Sequence, residues 1–198
     1  MLALLVALGV APTAEALDPP VGCLRDVQQL GLSADPRLEG TVLVVRKDVR
    51  RIQLFERGQA FELDDELACW QVGLGGQPAG PKRVRGDNRT PEGWYATSDK
   101  PWSNFYGAIA VHYPNADDAR SGVAAGRITA AQGESILGAL EAGRKPLQST
   151  RLGGEILIHG GGGDVDWTLG CIAMDDTDLD LLRATLPGGQ KVDLLILP

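Results

Sequence analysis

The sequence predicts a single β-rich domain with a few peripheral helices, and three observations lead to this prediction. The chain has 198 residues, a length typical of one domain with a short appendage. Hydrophobic residues make up 43 % and charged residues 23 %, which is the composition of a globular protein and not of a disordered chain or coiled coil. The 26 glycines and 12 prolines indicate many tight turns, which favour short strands over a helical bundle.

The N-terminal segment has the pattern of a secretory signal peptide. Residues 2–10 are an apolar run that is too short to span a bilayer as a helix, and Ala14-Glu15-Ala16 matches a cleavage pattern. No Lys or Arg precedes the run, so a buried or unstructured segment is the alternative. We expect residues 1–16 to be removed and the mature chain to be exported to the periplasm or cell envelope.

Residues 17–39 form a lead-in to the domain. Within them, residues 22–32 predict a short helix with Leu24, Val27 and Leu30 on one face. Lipidation at Cys23 is a minor alternative, because the preceding residues only faintly resemble a lipoprotein cleavage sequence.

From Thr41 onward the pattern changes to strands. Residues 41–45 are β-branched and apolar, residues 46–50 form a polar turn, and residues 52–54 alternate behind it, so the three segments predict a hairpin. The remaining strand candidates are residues 68–72, 93–97, 108–111, 155–159 and 192–197.

Three helices are predicted from their capping residues. Asn115 can cap the first helix, and Thr129 opens a capping-box pattern for the second. Asp175 or Asp176 can cap the third, which should end at residues 187–189, Pro-Gly-Gly.

The net charge of −7, from 19 basic and 26 acidic residues, argues against two classes of partner. Duplex nucleic-acid binders usually carry a basic excess, and an acidic chain is not attracted to an anionic membrane. We therefore expect no nucleic-acid partner and no stable membrane insertion of the mature chain.

The three cysteines suggest one pair and one free thiol in an oxidising compartment. Cys171 lies in a chemically suggestive sequence, so Cys23 and Cys69 are the candidate disulfide. The alternative is that both are small buried apolar residues.

His159 and Cys171 form the strongest candidate for a reactive site. His159 ends an apolar strand and opens a run of four glycines, residues 160–163, and Cys171 lies twelve residues further on, directly after Gly170. A glycine before a cysteine lets substrate approach the sulfur and frees backbone N–H groups to stabilise an oxyanion. A neighbouring imidazolium can lower the pKa of a thiol, so the pair suits acyl transfer.

Plainer interpretations of the same residues stay open at this point. The cysteine can be inert packing, the histidine a hydrogen-bonded scaffold, and the glycine run a flexible loop. No spacing of ligand pairs supports a metal site, so we expect no metal and no cofactor.

Three motifs, taken in order, resemble the L,D-transpeptidase (YkuD-type) family. His159-Gly160, the glycine turn and Thr168-x-Gly170-Cys171-Ile172-x-Met174 resemble the family's active-site signature. Residues 86–95, GDNRTPEGWY, resemble its TPxG turn and following strand. Residues 113–117 and 166–168 resemble the branch that includes the enzyme releasing Braun's lipoprotein from peptidoglycan. The resemblance runs from about residue 42 to 196.

The resemblance implies a β-sandwich catalytic domain over residues 40–198, active on peptidoglycan stem peptides and involved in cell-wall biogenesis or cell shape. In the family, the cysteine attacks the bond following the L-centre of meso-diaminopimelate, and the thioester passes to an amine or to water. By position Cys171 is the nucleophile and His159 the base. The Gly160 carbonyl orients the imidazole, and the N–H groups of Gly170 and Cys171 line the oxyanion hole.

Two departures from the family pattern affect how substrate carboxylates are held. Leu169 replaces a second histidine, and Ala173 replaces an arginine that many members carry. We expect substrate contacts at Arg89, beside the TPxG turn, and at His112, Thr168 and Trp167. Arg89 belongs to a basic cluster with Lys82, Arg83 and Arg85. The alternatives are a solvated loop for the cluster, a structural role for His112 and a core position for Trp167.

Three functions remain. The first is a transferase that cross-links stem peptides or attaches protein to them. The second is hydrolytic use of the same site, releasing a wall-linked lipoprotein. The third is an inactive peptidoglycan-binding module, which the retention of His159, Gly170 and Cys171 disfavours.

Overall fold

The computed structural model describes residues 20–186 and 191–198. The expected signal peptide and the Pro-Gly-Gly end of the third helix lie outside these residues. In the described part of the chain, no helix has the length and apolar character needed to cross a membrane.

The core is a mixed sheet of nine strands, joined in the order β10-β9-β8-β7-β11-β1-β2-β3, with β6 also paired to β2. A separate hairpin consists of β4 and β5. The strands are β1 (Thr41–Arg46), β2 (Arg51–Glu56), β3 (Gln59–Ala60), β4 (Glu62–Leu63), β5 (Glu66–Leu67), β6 (Cys69–Gln71), β7 (Gly93–Asp99), β8 (Ile109–Val111), β9 (Leu157–His159), β10 (Ile172–Ala173) and β11 (Asp193–Leu197).

Strand β7 turns this sheet into two layers because it belongs to both halves. Its first part, Gly93 to Ala96, pairs with β11, and its last part, Thr97 to Asp99, pairs with β8. The curled sheet thereby encloses a core between its halves, which confirms the predicted mainly β class and its sandwich character. In the half formed by β8, β9 and β10, which ends at one edge of the sheet, His159 is the last residue of β9 and Cys171 directly precedes β10.

The central strands are buried on both faces, which explains their continuous apolar sequence. In β1, Leu43 and Val45 point into the main core, whereas Val42 and Val44 pack in a second cluster on the other face. Leu24, Val27 and Leu30 of the lead-in pack against that second cluster. The lead-in therefore acts as a cover for the sheet.

The helices begin where the capping residues predict. They are α1 (Ala116–Ala124), α2 (Ala130–Glu141) and α3 (Asp176–Thr185). Asn115 and Thr129 each form a complete capping box. Asp175 is the N-cap of α3, but its side chain makes no capping hydrogen bond.

The lead-in differs from its prediction. It contains two four-residue 3-10 helices, Val27–Leu30, which ends at Gly31 in the left-handed conformation, and Pro36–Glu39. A disulfide joins Cys23 to Cys69 across 46 residues of sequence and attaches the lead-in to β6, while Cys171 is a free thiol.

Candidate active site

His159 ends β9 with a buried, oriented imidazole. Its side chain is 1 % exposed, and Nδ1 lies 2.6 Å from the Gly160 carbonyl oxygen. Because a carbonyl can only accept a hydrogen bond, Nδ1 must carry the proton, and Nε2 is left as the basic nitrogen. The arrangement therefore provides a neutral imidazole with a defined tautomer.

Every N–H group of the glycine turn after His159 donates a hydrogen bond. The N–H groups of residues 160–163 donate, in order, to Tyr106 O at 3.0 Å, Asp176 Oδ1 at 2.9 Å, Met174 O at 2.9 Å and Asp175 Oδ1 at 3.3 Å. A Cβ atom at Gly160 would lie 2.1 Å from Asp176 Oδ1, so only glycine allows this approach. The alternative of a loose loop is therefore wrong, and the two aspartates that begin α3 serve the turn.

The turn that carries Cys171 is held through its carbonyl group. Thr168 Oγ1 donates to Cys171 O at 2.8 Å, and Thr90 Oγ1 lies 3.4 Å from the same oxygen. Gly170 has φ +129°, and a Cβ there would lie 2.6 Å from Arg89 O. Glycine is thus required before the cysteine because of backbone packing.

The Gly170 N–H does not match its expected role in an oxyanion hole. It donates to Thr168 Oγ1 at 3.1 Å, because the threonine side chain folds back over the turn. Of the two N–H groups expected there, this leaves the one of Cys171.

Cys171 and His159 line the same cavity, of about 550 Å³. Thr168, Trp167 and Phe105 also line it. Thr168 thus touches both the cavity and the cysteine turn.

Two aromatic rings enclose the imidazole. The Phe105 ring centroid lies 4.5 Å from that of His159, and Trp167 meets His159 edge-on at 5.7 Å. Trp167 Nε1 donates to Gly162 O at 3.1 Å, which attaches its ring to the glycine turn. Phe105 was not among the predicted site residues, since an aromatic residue in a loop without a motif does not indicate which side chain it will contact.

Burial determines the charge state of the pair. It lowers the pKa of His159, partly opposed by the hydrogen bond to Gly160, and it raises the pKa of the Cys171 thiol, partly opposed by the nearby Leu157 backbone. The thiol itself donates to the Glu155 carbonyl oxygen, with Sγ 3.6 Å from it. The expectation of a thiol with a lowered pKa is therefore wrong. At neutral pH the site holds a neutral thiol and a neutral imidazole.

Two of the predicted contact residues lie elsewhere. His112 is 7 % exposed, its Nε2 lies 2.9 Å from Ser98 Oγ, and it lines a separate cavity of about 380 Å³ with Lys191 and Asp193. The Arg89 guanidinium donates to the Ala79 carbonyl and does not line the Cys171 cavity.

Among the described residues, no group of three or more His, Cys, Asp or Glu side chains is placed to hold a metal ion.

Known proteins resemble this chain in sequence or in fold. Over 80 residues, 38 % of this chain and 31 % of the relative, the sequence is 34 % identical to the Escherichia coli (strain K12) protein named "Putative L,D-transpeptidase YafK". The structure resembles the K307A mutant of the helical cell shape determining protein Pgp2 from Campylobacter jejuni, with 25 % identity, a TM-score of 0.50 and coverage of 79 % of this chain and 46 % of that one. Bdellovibrio bacteriovorus Bd1075 matches at 21 % identity with a TM-score of 0.48, covering 84 % of this chain and 50 % of that one.

This chain thus spans half or less of the length of these relatives. The family model for the YkuD L,D-transpeptidase catalytic domain matches residues 40–194. That match includes the glycine turn, the cysteine turn and every strand from β1 to β10. The chain therefore belongs to the YkuD L,D-transpeptidase family.

Proposed function

We propose that the protein is an exported cysteine acyl-transferase that acts on peptidoglycan stem peptides through a thioester at Cys171. The observation that supports this most is the shared cavity of Cys171 and His159, with the imidazole tautomer set by the Gly160 carbonyl. Membership of the L,D-transpeptidase family supports the substrate class.

The neutral resting pair implies that proton transfer accompanies attack. His159 Nε2 accepts the thiol proton while the sulfur adds to the amide carbonyl carbon that follows the L-centre of diaminopimelate. The tetrahedral intermediate collapses when the C–N bond breaks and the imidazolium returns the proton to the leaving amine. An acceptor amine then attacks the thioester, which forms a new amide and releases the thiol.

A second candidate is hydrolysis, in which water replaces the amine as acceptor. The resemblance of residues 113–117 and 166–168 to the lipoprotein-releasing branch favours it. The likeness to a protein that determines helical cell shape is also compatible with trimming of the wall. The same Cys171 thioester serves both reactions, so the acceptor alone separates them.

Mass spectrometry of muropeptides incubated with the purified protein tests both candidates. Cross-linked dimers indicate transfer, whereas trimmed monomers or released lipoprotein fragments indicate hydrolysis. We expect Cys171→Ala to abolish every product, and Cys171→Ser to be nearly inactive because a hydroxyl needs far stronger activation. Normal turnover by Cys171→Ala would contradict the mechanism.

Export is tested on the full chain with a C-terminal tag in a Gram-negative host. We expect the protein in the periplasmic fraction, with a mature N-terminus at Leu17. Retention of the intact N-terminus in the cytoplasm would contradict export.

A further inference from the structure

The cavity that holds Cys171 contains three charged side chains, and two of them are neutralised within the protein. Lys82 is buried and pairs with Asp87 at 2.9 Å. Glu155 pairs with both Lys100 and Lys145. The third charged side chain, Arg85, belongs to none of the ion pairs within 4.0 Å among the described residues. Among the charged side chains that line this cavity, Arg85 is therefore the one without a counter-charge from the protein, and it is exposed to solvent.

The backbone of Arg85 is well anchored, whereas its guanidinium keeps unused donors. The backbone N–H donates to Arg151 O at 2.9 Å, and Gly153 lies beside it, where a Cβ would be in van der Waals contact with Arg85 Cα at 3.4 Å. The side chain makes one hydrogen bond, from Nη2 to Gln148 O at 3.2 Å. In the described part of the chain, nothing accepts from Nε or Nη1, so two of the three guanidinium nitrogens are available to a ligand.

The other residues of the basic cluster, Lys82, Arg83 and Arg89, do not present free hydrogen-bond donors in the Cys171 cavity. Arg83 lines a different cavity, beside Trp94 and the start of α1. Arg89 is bound to the Ala79 carbonyl. Lys82 is 3 % exposed and occupied by Asp87. Among these four cations, Arg85 alone combines a place in the Cys171 cavity with free donors.

We propose that Arg85 binds a carboxylate of the acyl donor, and so selects donors with a free carboxylate over neutral ones. The inference rests on the proposed function, and it names the chemical feature of the substrate that the cavity recognises. A guanidinium matches a carboxylate with two parallel hydrogen bonds. A charged hydrogen bond of this kind changes affinity by about 10- to 100-fold.

Binding without turnover tests the inference. The parent protein is Cys171→Ala, titrated by calorimetry with a synthetic stem tetrapeptide. Further peptides have one carboxylate at a time converted to a carboxamide, which distinguishes the terminal carboxylate from those within the stem. Arg85→Gln, Arg85→Lys and the matched control Arg83→Gln are compared in the same background.

We expect Arg85→Gln to weaken tetrapeptide binding by about 10- to 100-fold, Arg85→Lys to recover part of it, and Arg83→Gln to stay near the parent. Amidation of one carboxylate should weaken binding to the parent equally, with no further loss in Arg85→Gln. Equal binding by Arg85→Gln and Arg83→Gln would overturn the inference, and so would absence of measurable binding to the parent.

Turnover by the wild-type protein decides the proposed function separately. If tetrapeptide binding depends on Arg85 but no product forms, the role of Arg85 in binding is supported and the proposed enzymatic activity is contradicted. If product forms at the same rate without Arg85 and with amidated peptides, the enzymatic activity is supported and the role of Arg85 is contradicted.

Discussion

The surroundings of His159 and His112 differ in what they do to a buried imidazole. Both side chains lie at the ends of neighbouring strands, β9 and β8, and burial is the main cause that lowers the pKa of each. His159 faces a carbonyl that can only accept, in a cavity with a thiol, whereas His112 faces the Ser98 hydroxyl, which can donate or accept. Burial favours the neutral form of both histidines, but only His159 combines a defined tautomer with a place in the cavity of a free thiol, which is why we propose it as the base.

The largest effect that separates the two regions is expected on turnover. His159→Gln should lower kcat/KM by about 10²- to 10⁴-fold, since general-base assistance is lost. His112→Gln should leave kcat/KM within about threefold, as expected for a residue outside the site. Rates of muropeptide conversion measure both, and a reversed order would assign the base to His112.

The reactivity of Cys171 with pH tests the neutral resting pair. Since burial raises the pKa of Cys171, the rate of iodoacetamide labelling should rise about tenfold per pH unit and continue rising above about pH 8.5. His112→Gln should give the same profile. A plateau already reached at pH 7 would indicate a thiolate–imidazolium pair and contradict the neutral one.

Phe105, whose ring stacks on His159 and not on His112, provides a further test of the difference between the two histidines. Phe105→Ala should lower kcat by about two- to tenfold, the value of an aromatic pair. It should also admit water to the imidazole, so the pKa of His159 rises and the acid limb of the pH–rate profile moves to higher pH. Ser98→Ala, which removes the partner of His112, is the matched control and should leave that limb in place.

The smallest effect is on stability, where the two histidines should behave alike. Each has a lower pKa in the folded state, so the unfolded chain binds more protons below pH 6.5, and the free energy of unfolding falls as the pH drops through that region. Either His→Gln variant should reduce the difference in stability between pH 7 and pH 5. Urea unfolding at pH 7 and pH 5 measures this difference. If it is the same in the wild type and both variants, burial does not lower the pKa of either histidine.

The elements that are determined by residues close together in the sequence could be predicted from it. The hairpin of β1 and β2 follows from apolar runs around a polar turn, and α1 and α2 follow from Asn115 and Thr129. The joint site of His159 and Cys171 was predicted from the two glycine-containing motifs and from the family resemblance. The two residues line one cavity because each adjoins one of the paired edge strands β9 and β10.

Features set by distant parts of the chain could not be predicted in the same way. Strand β10 has only two residues and no pattern of its own. The contact of Phe105 with His159 joins residues 54 positions apart, and the pKa directions depend on burial. Asp175 and Asp176 looked like helix caps, yet their side chains bond to the glycine turn.

Because of these hydrogen bonds, the conformation of the glycine turn depends on the folding of α3. Fixing a residue's backbone costs about 1–2 kcal/mol, and glycine loses the most freedom. Residues 160–163 cannot recover this cost alone, since two of their four N–H groups end on aspartates that α3 supplies. The turn can therefore become ordered only when α3 has docked. A chain truncated directly before Asp175 would retain His159, the glycine run and Cys171, but it would lack both carboxylates that hold the turn. Its imidazole would therefore lose the ordered backbone that positions it.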